Sequence, residues 1–147
     1  MPHDAVQRLS CPDNDCGFVF WDNPVPVVVG IVETPKGVVL AHNKAWPAGL
    51  FSLISGFLES AETPQAAIER ETTEELGLIT HNTALIGFYP LPEQNQLIIA
   101  FHLRADGTIT LNEELDAFKT IPSRQLGDYD FGPLTLTRRL IDDWLAA

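Results

Sequence analysis

The chain has 147 residues, enough for one domain with a sizeable core, and its 45% hydrophobic content excludes a disordered or fibrous protein. Its formal net charge of -11 argues against a direct grip on a nucleic-acid backbone, although cations bound locally would let the same surface hold a phosphate compound. No apolar run approaches the roughly 18–20 residues that span a bilayer. The start, "MPHDAVQRLSC", has no apolar leader core, so no membrane partner and a cytoplasmic location are expected.

Residues 1–24 read as a short, irregular N-terminal segment with turn residues at "CPDNDCG" and "WDNP". Cys11 and Cys16 lie close together there; in a reducing compartment such a pair points to a metal site or free thiols before a disulfide. The main domain, 25–147, opens with "VPVVVGIVE" (Val25–Glu33), a short apolar β-branched run that predicts a buried strand. "TPKG" is a turn, and Val38–Asn43 is its hairpin partner. After the loop "KAWPAG", Leu50–Ser55 predicts a short strand ending at Gly56. A helix follows, with Thr63 as N-cap, Pro64 at its first position and Gly77 as its stop. "TALIGFYP" and "QLIIAFHLRA" are two more strands around the loop "LPEQN", and "TLNEELDAFKTI" is mixed. The chain closes on an amphipathic helix with Leu136, Leu140, Ile141 and Trp144 on one side. Strands, helix, strands, helix predict a mixed sheet covered by helices.

The stretch "SGFLESAETPQAAIERETTEELGL" crowds six glutamates into one loop and one helix. At about 100° per residue, Glu71, Glu74 and Glu75 fall within about a third of the helix circumference. Ala67 lies on that side and leaves space, while Ile68, Thr72 and Leu76 form the adjoining stripe suited to the core. Like charges at these spacings cost a few tenths of a kcal/mol each, roughly. A hard divalent cation among the carboxylates turns that repulsion into ligation. Taken alone, the run reads first as a solvated acidic face.

The spacing of the whole stretch changes that reading. Gly56, Glu62, Arg70-Glu71, Glu74-Glu75 and Gly77-Leu78 fill the fixed positions of G-x5-E-x7-R-E-U-x-E-E-x-G-U, so the segment resembles the Nudix box. It departs at Thr72, where that family has an aliphatic residue, and at Ala61, where a glycine commonly precedes the glutamate. The resemblance implies an α/β/α sandwich with a mixed sheet over 25–147. It also implies hydrolysis of a nucleoside diphosphate linked to another group. Carried over, Glu71, Glu74 and Glu75 bind Mg²⁺ or Mn²⁺, the Gly56 carbonyl is a further ligand, and Glu59 is either a metal ligand or a plain loop acid. Arg70 pairs with Glu62, and Gly77 closes the box. The candidates for the base that deprotonates water are Glu74, Glu93 and Glu114. Trp46, Phe57 and Tyr89 each read first as core and second as a surface for stacking on a base. His42, His81 and His102 show no partner pattern.

Weaker similarity extends to the NADH pyrophosphatase branch, through "FSLISGFLE", "FGPLTLTRRLIDDWL" and the N-terminal "CPDNDCGFVFWDNPVPVVVGIVE", which resembles half of a zinc ribbon. It implies NADH, ADP-ribose or a related nucleotide as substrate, and a homodimer. Two features depart from it: "GFYPLPEQNQL" stands where that branch has "SQPWPFP", and one cysteine pair stands where it has two. Cys11 and Cys16 alone cannot close a tetrahedral Zn²⁺ site; either His3 or a second subunit supplies further ligands, or the segment is a metal-free loop. The alternative reading is a non-catalytic domain of this type that binds a nucleotide as a sensor, but such domains tend to lose box glutamates that this chain keeps.

Overall fold

The computed structural model of the chain describes residues 2–3 and 6–147. Two short antiparallel pairs precede the main domain: β1 (Pro2–His3) with β2 (Val6–Gln7), and β3 (Leu9–Ser10) with β4 (Val19–Phe20). The N-terminal segment is therefore more ordered than the sequence suggests. Turn residues close the loop between β3 and β4, where Cys11 N–H donates to the Phe18 carbonyl and Cys16 N–H to that of Asp13. The side chain of His3, one candidate for a further zinc ligand, lies outside the described residues.

A six-stranded mixed sheet forms the main domain. Its strands are β5 (Val25–Thr34), β6 (Gly37–Asn43), β7 (Ile54–Phe57), β8 (Ile79–Leu91), β9 (Gln96–Asp106) and β10 (Leu115–Ile121). The order runs β10-β6-β5-β9-β8, with β7 alongside the first half of β5. β5 and β9 are parallel from Val25↔Gln96 to Glu33↔Arg104; the other pairs are antiparallel. Both central strands are apolar on both faces, as a sheet covered twice requires. Helix α1 (Pro64–Leu76) packs on the face of Val28, Val32, Ile99, Phe101 and Leu103. The short α2 (Ser123–Leu126) and the C-terminal α3 (Thr135–Ala146) pack on the face of Val27, Ile31, Ile98 and Ala100. The result is the expected α/β/α sandwich. Among the described residues, no helix is long and apolar enough to cross a membrane.

Helix α1 starts and stops where the sequence predicts. The Thr63 hydroxyl accepts from Ala66 N–H at 3.2 Å, Pro64 opens the helix, and Gly77 is left-handed at φ 68 and donates its N–H to the Thr73 carbonyl. Ile68 and Leu76 are fully buried, worth about 1.5–3 kcal/mol each. Ala67 is fully buried as well, so it serves the core rather than leaving space beside the carboxylates. Thr72 is buried without loss of a partner, because its hydroxyl donates to the Ile68 carbonyl at 2.8 Å.

The strand expected at Leu50–Ser55 lies later, at Ile54–Phe57; Ser52 makes only an isolated bridge to Ala41. Gly56 does not end this strand but sits inside it, opposite Val28. β8 is longer than expected, starting at Ile79 directly after the helix stop. The "TLNEELDAFKTI" segment resolves into a loop and β10. That loop covers the end of α1, with Thr110 N–H donating to the Leu76 carbonyl and Asn112 N–H to that of Glu75.

Candidate active site

A cavity of about 550 Å³ opens beside the end of α1. β7 contributes Gly56 and Phe57, and α1 contributes Arg70, Glu71 and Glu75. Asn43 and Trp46 come from the end of β6 and the loop after it, and Gln94, Gln96 and Glu114 come from the far side of the chain. Residues as distant in sequence as Asn43 and Glu114 thus meet, because β10 pairs with β6 and β5 carries β7 on one edge and β9 on the other.

Arg70 organises the acids. Its Nε donates to Glu62 Oε2 at 2.7 Å and its Nη2 to Glu62 Oε1 at 3.0 Å, a two-pronged pair. Nη2 also donates to the Phe57 carbonyl at 3.0 Å, which ties the helix to the end of β7. Nη1 donates to Glu71 at 2.9 Å and to Glu74 at 3.1 Å, and lies 3.7 Å from Glu59. The arginine holds the Glu62 carboxyl down at about 2, and the carboxylates hold the guanidinium firmly protonated. The expected Arg70–Glu62 pair is present, and its partners are more numerous than the sequence suggests.

Glu75 is the unusual group. It is 5% exposed, and its Oε2 is buried without a hydrogen-bond partner. Burial first, and then the neighbouring Glu71, Glu114 and Glu74, push its carboxyl up to about 8. Burial also raises Glu71, against the pull of Arg70. A carboxyl kept from water, facing other carboxyls and lacking a donor is suited to a divalent cation, whose charge would reverse these shifts. The strand is shaped for the same cluster. A Cβ on Gly56 would stand 2.2 Å from the Glu71 carboxyl carbon, so only glycine admits that side chain. The donor set therefore fits Mg²⁺ or Mn²⁺. Among the described residues, no three His, Cys, Asp or Glu side chains converge as they stand on one ion; Glu71 and Glu74 turn toward Arg70 instead.

The remaining candidates separate. Glu114 lines the cavity. Glu74 is half-exposed and held by Arg70, and Glu59 is an exposed rim acid. Glu93 sits in the exposed turn Pro92–Gln94 and does not line the cavity, although Gln94 beside it does. Trp46 and Phe57 line it. Tyr89 does not: it is buried on the α3 face, where its hydroxyl donates to Asp143 at 2.8 Å. Cys11 and Cys16 are free thiols at the β3–β4 turn. The Phe18 backbone and then Cys11 hold the Cys16 thiol below its usual range.

Sequence reasoning missed Asn43, Gln94 and Gln96, polar residues with no motif of their own. It also missed His42. That ring bonds to Asp116 through Nδ1 at 2.6 Å and to the Pro47 carbonyl through Nε2 at 3.0 Å. Its partners are 74 and five residues away, and no local pattern announces them.

Comparison with known proteins agrees with this picture. A family profile described as the NUDIX domain matches residues 23–144. A curated relative from Pseudomonas aeruginosa, "NAD-capped RNA hydrolase NudC", is 27% identical over 153 residues, covering 97% of this chain and 51% of the relative. A protein of the same name from Mycobacterium bovis is 35% identical over 82 residues, 55% of this chain and 26% of the relative. The chain thus spans about half or less of the length of these relatives. Among solved structures, a NUDIX hydrolase from Nitrosomonas europaea superposes with a TM-score of 0.75 at 23% identity, over 95% of this chain and 81% of that one. A UDP-X diphosphatase gives 0.68 at 19% identity, over 84% and 62%. These two likenesses show the fold.

Proposed function

From a chain that belongs to the Nudix hydrolase family, we propose hydrolysis of the diphosphate linkage in a nucleoside diphosphate derivative such as NADH or ADP-ribose, dependent on Mg²⁺ or Mn²⁺. The observation that carries this is Glu75, a buried carboxyl with an unpartnered oxygen beside Glu71 and Glu114 at the wall of a cavity. Glu71 and Glu75 would hold the cation, with Glu74, the Gly56 carbonyl and Glu59 as further ligands. When bound, the cation neutralises phosphate oxygens and polarises the attacking water.

The protein's own groups do the rest. Arg70 holds Glu62 and Glu71, so that α1 and the strand end keep one geometry through the reaction. Glu114 takes the proton as the water oxygen bonds to phosphorus and the bridging P–O bond breaks. It is chosen over Glu93 and Glu74, neither of which lines the cavity, Glu74 being held by Arg70. Trp46 and Phe57 offer ring surface to the base, and Gln94, Gln96 and Asn43 offer donors and acceptors to the sugar or phosphates.

The relatives' name suggests NAD-capped RNA as a further substrate. The net charge of -11 favours the small dinucleotide over a long RNA body. A cytoplasmic location and a homodimer belong to the same proposal, on the strength of the resemblance; so does Zn²⁺ at Cys11 and Cys16, if a second subunit supplies ligands.

The test is a hydrolysis screen with Mg²⁺ and with Mn²⁺ over NADH, NAD, ADP-ribose, other nucleoside diphosphate derivatives and NAD-capped RNA. Turnover should vanish in excess chelator, and Glu75→Gln should lower it at least about a hundredfold. Full activity in chelator, or an active Glu75→Gln, would overturn the metal-dependent reading. Nucleotide binding without turnover would favour a sensor.

A further inference from the structure

Trp46 lies in the loop between β6 and β7, against the wall of the cavity. Local bonds shape the start of that loop: Trp46 N–H donates to the Asn43 carbonyl, Ala45 N–H to Asn43 Oδ1, and Lys44 N–H to the Glu114 carbonyl. The next residue, Pro47, accepts from Leu50 N–H within the loop and is tied to the sheet by His42, whose Nε2 reaches its carbonyl at 3.0 Å while Nδ1 reaches Asp116 on β10 at 2.6 Å. The Pro47 carbonyl can only accept, and so can an ionised Asp116. Both ring nitrogens must therefore carry hydrogen, and the clamp exists only as the imidazolium.

The surroundings fit that charge. Asp116 on β10 is the carboxylate bound to the ring. Phe51 lies 5.9 Å and Trp46 6.5 Å from it, ring centre to ring centre. Lys119, also on β10, stands over Phe51 at 4.3 Å, and Glu114 faces Lys44 through its backbone. The Asp116 bond, more than any other contact, holds the ring's proton affinity above its ordinary value of 6.5.

We infer that His42 is a positioning residue: its imidazolium holds the Trp46 loop at the cavity, so that substrate affinity falls when the ring loses a proton while turnover does not. The inference rests on the proposed stacking role of Trp46. The sign follows from the chemistry. A base with raised proton affinity keeps its clamp at low pH and releases it as pH rises through its midpoint.

The experiment follows the Trp46 indole and His42 ring resonances by NMR from pH 5 to 9, assigned with Trp46→Phe and His42→Phe. The His42 midpoint should lie above 6.5, and the Trp46 signal should move with it. Asp116→Asn should lower both midpoints together. In steady-state kinetics with NADH or ADP-ribose, KM should rise about threefold or more through that midpoint. In His42→Phe it should be high and independent of this step, with kcat retained. A Trp46 signal that ignores the His42 midpoint, or wild-type KM and pH profile in His42→Phe, would overturn the inference. If wild type turns over no substrate, the proposed function fails, and the NMR titration still decides the clamp.

Discussion

A single carboxyl sets the electrostatics of the site. Glu75 has its acid form favoured to about 8 in the fold, against an ordinary 4.5. Between those values the folded chain keeps a proton that the unfolded chain has released. Metal-free stability therefore falls as pH rises from about 4.5 to about 8, by on the order of 1 kcal/mol per pH unit at most. Denaturant melts in chelator at pH 5, 6.5 and 8 should show this loss in wild type and a flatter profile in Glu75→Gln. Equal slopes would mean that Glu75 ionises freely. A second residue carries strain of another kind. Ala61, which stands where the box commonly has glycine, is left-handed at φ 64. That costs an alanine about 1 kcal/mol, part of which glycine would return as unfolded-chain entropy. Ala61→Gly should stabilise the protein by roughly 0.5 kcal/mol in the same melts.

Helix α1 does two jobs with one set of residues. Its inner stripe of Ile68, Thr72 and Leu76 anchors it to the sheet, and Glu71 and Glu75 follow from the same face at the cavity end. Placement of the carboxylates is thus inherited from core packing. The Thr63 cap fixes where the helix begins and keeps Glu62, the residue before it, in reach of Arg70. Thr63→Ala should cost about 1 kcal/mol in stability. Because the core face still sets the helix, kcat should change little; a collapse of activity larger than the stability loss would mean that the cap itself holds the acidic cluster.

At the scale of the whole molecule, excess negative charge and a partly desolvated acidic cluster leave the fold stabilised by any cation that binds there. A cation at a hundred times its dissociation constant adds about 2.7 kcal/mol. Thermal melts should rise with Mg²⁺ or Mn²⁺ in wild type, and the rise should shrink sharply in Glu75→Gln. An unchanged rise would place the cation elsewhere on the acidic surface. What could be read from the chain alone was local. The limits of α1 follow from Thr63, Pro64 and Gly77, the buried strands from their β-branched runs, and the acidic cluster from box spacing, because each is written within one or two helical turns or one strand. The departures had long-range causes. Gly56 belongs inside β7 because β5 lies opposite and Glu71 needs the space; Tyr89 turns to the α3 face because β8 pairs with β9 in a register that its own residues do not reveal. Glu114 lines the cavity and Glu93 does not, and His42 finds Asp116 and Pro47, only once the sheet order is set. Short-range spacing determined the family, the helix and its acids. Tertiary structure decided which of those acids is buried, which aromatic rings face the cavity and which histidine holds the loop, because burial and partnership depend on chain segments that meet only across the sheet.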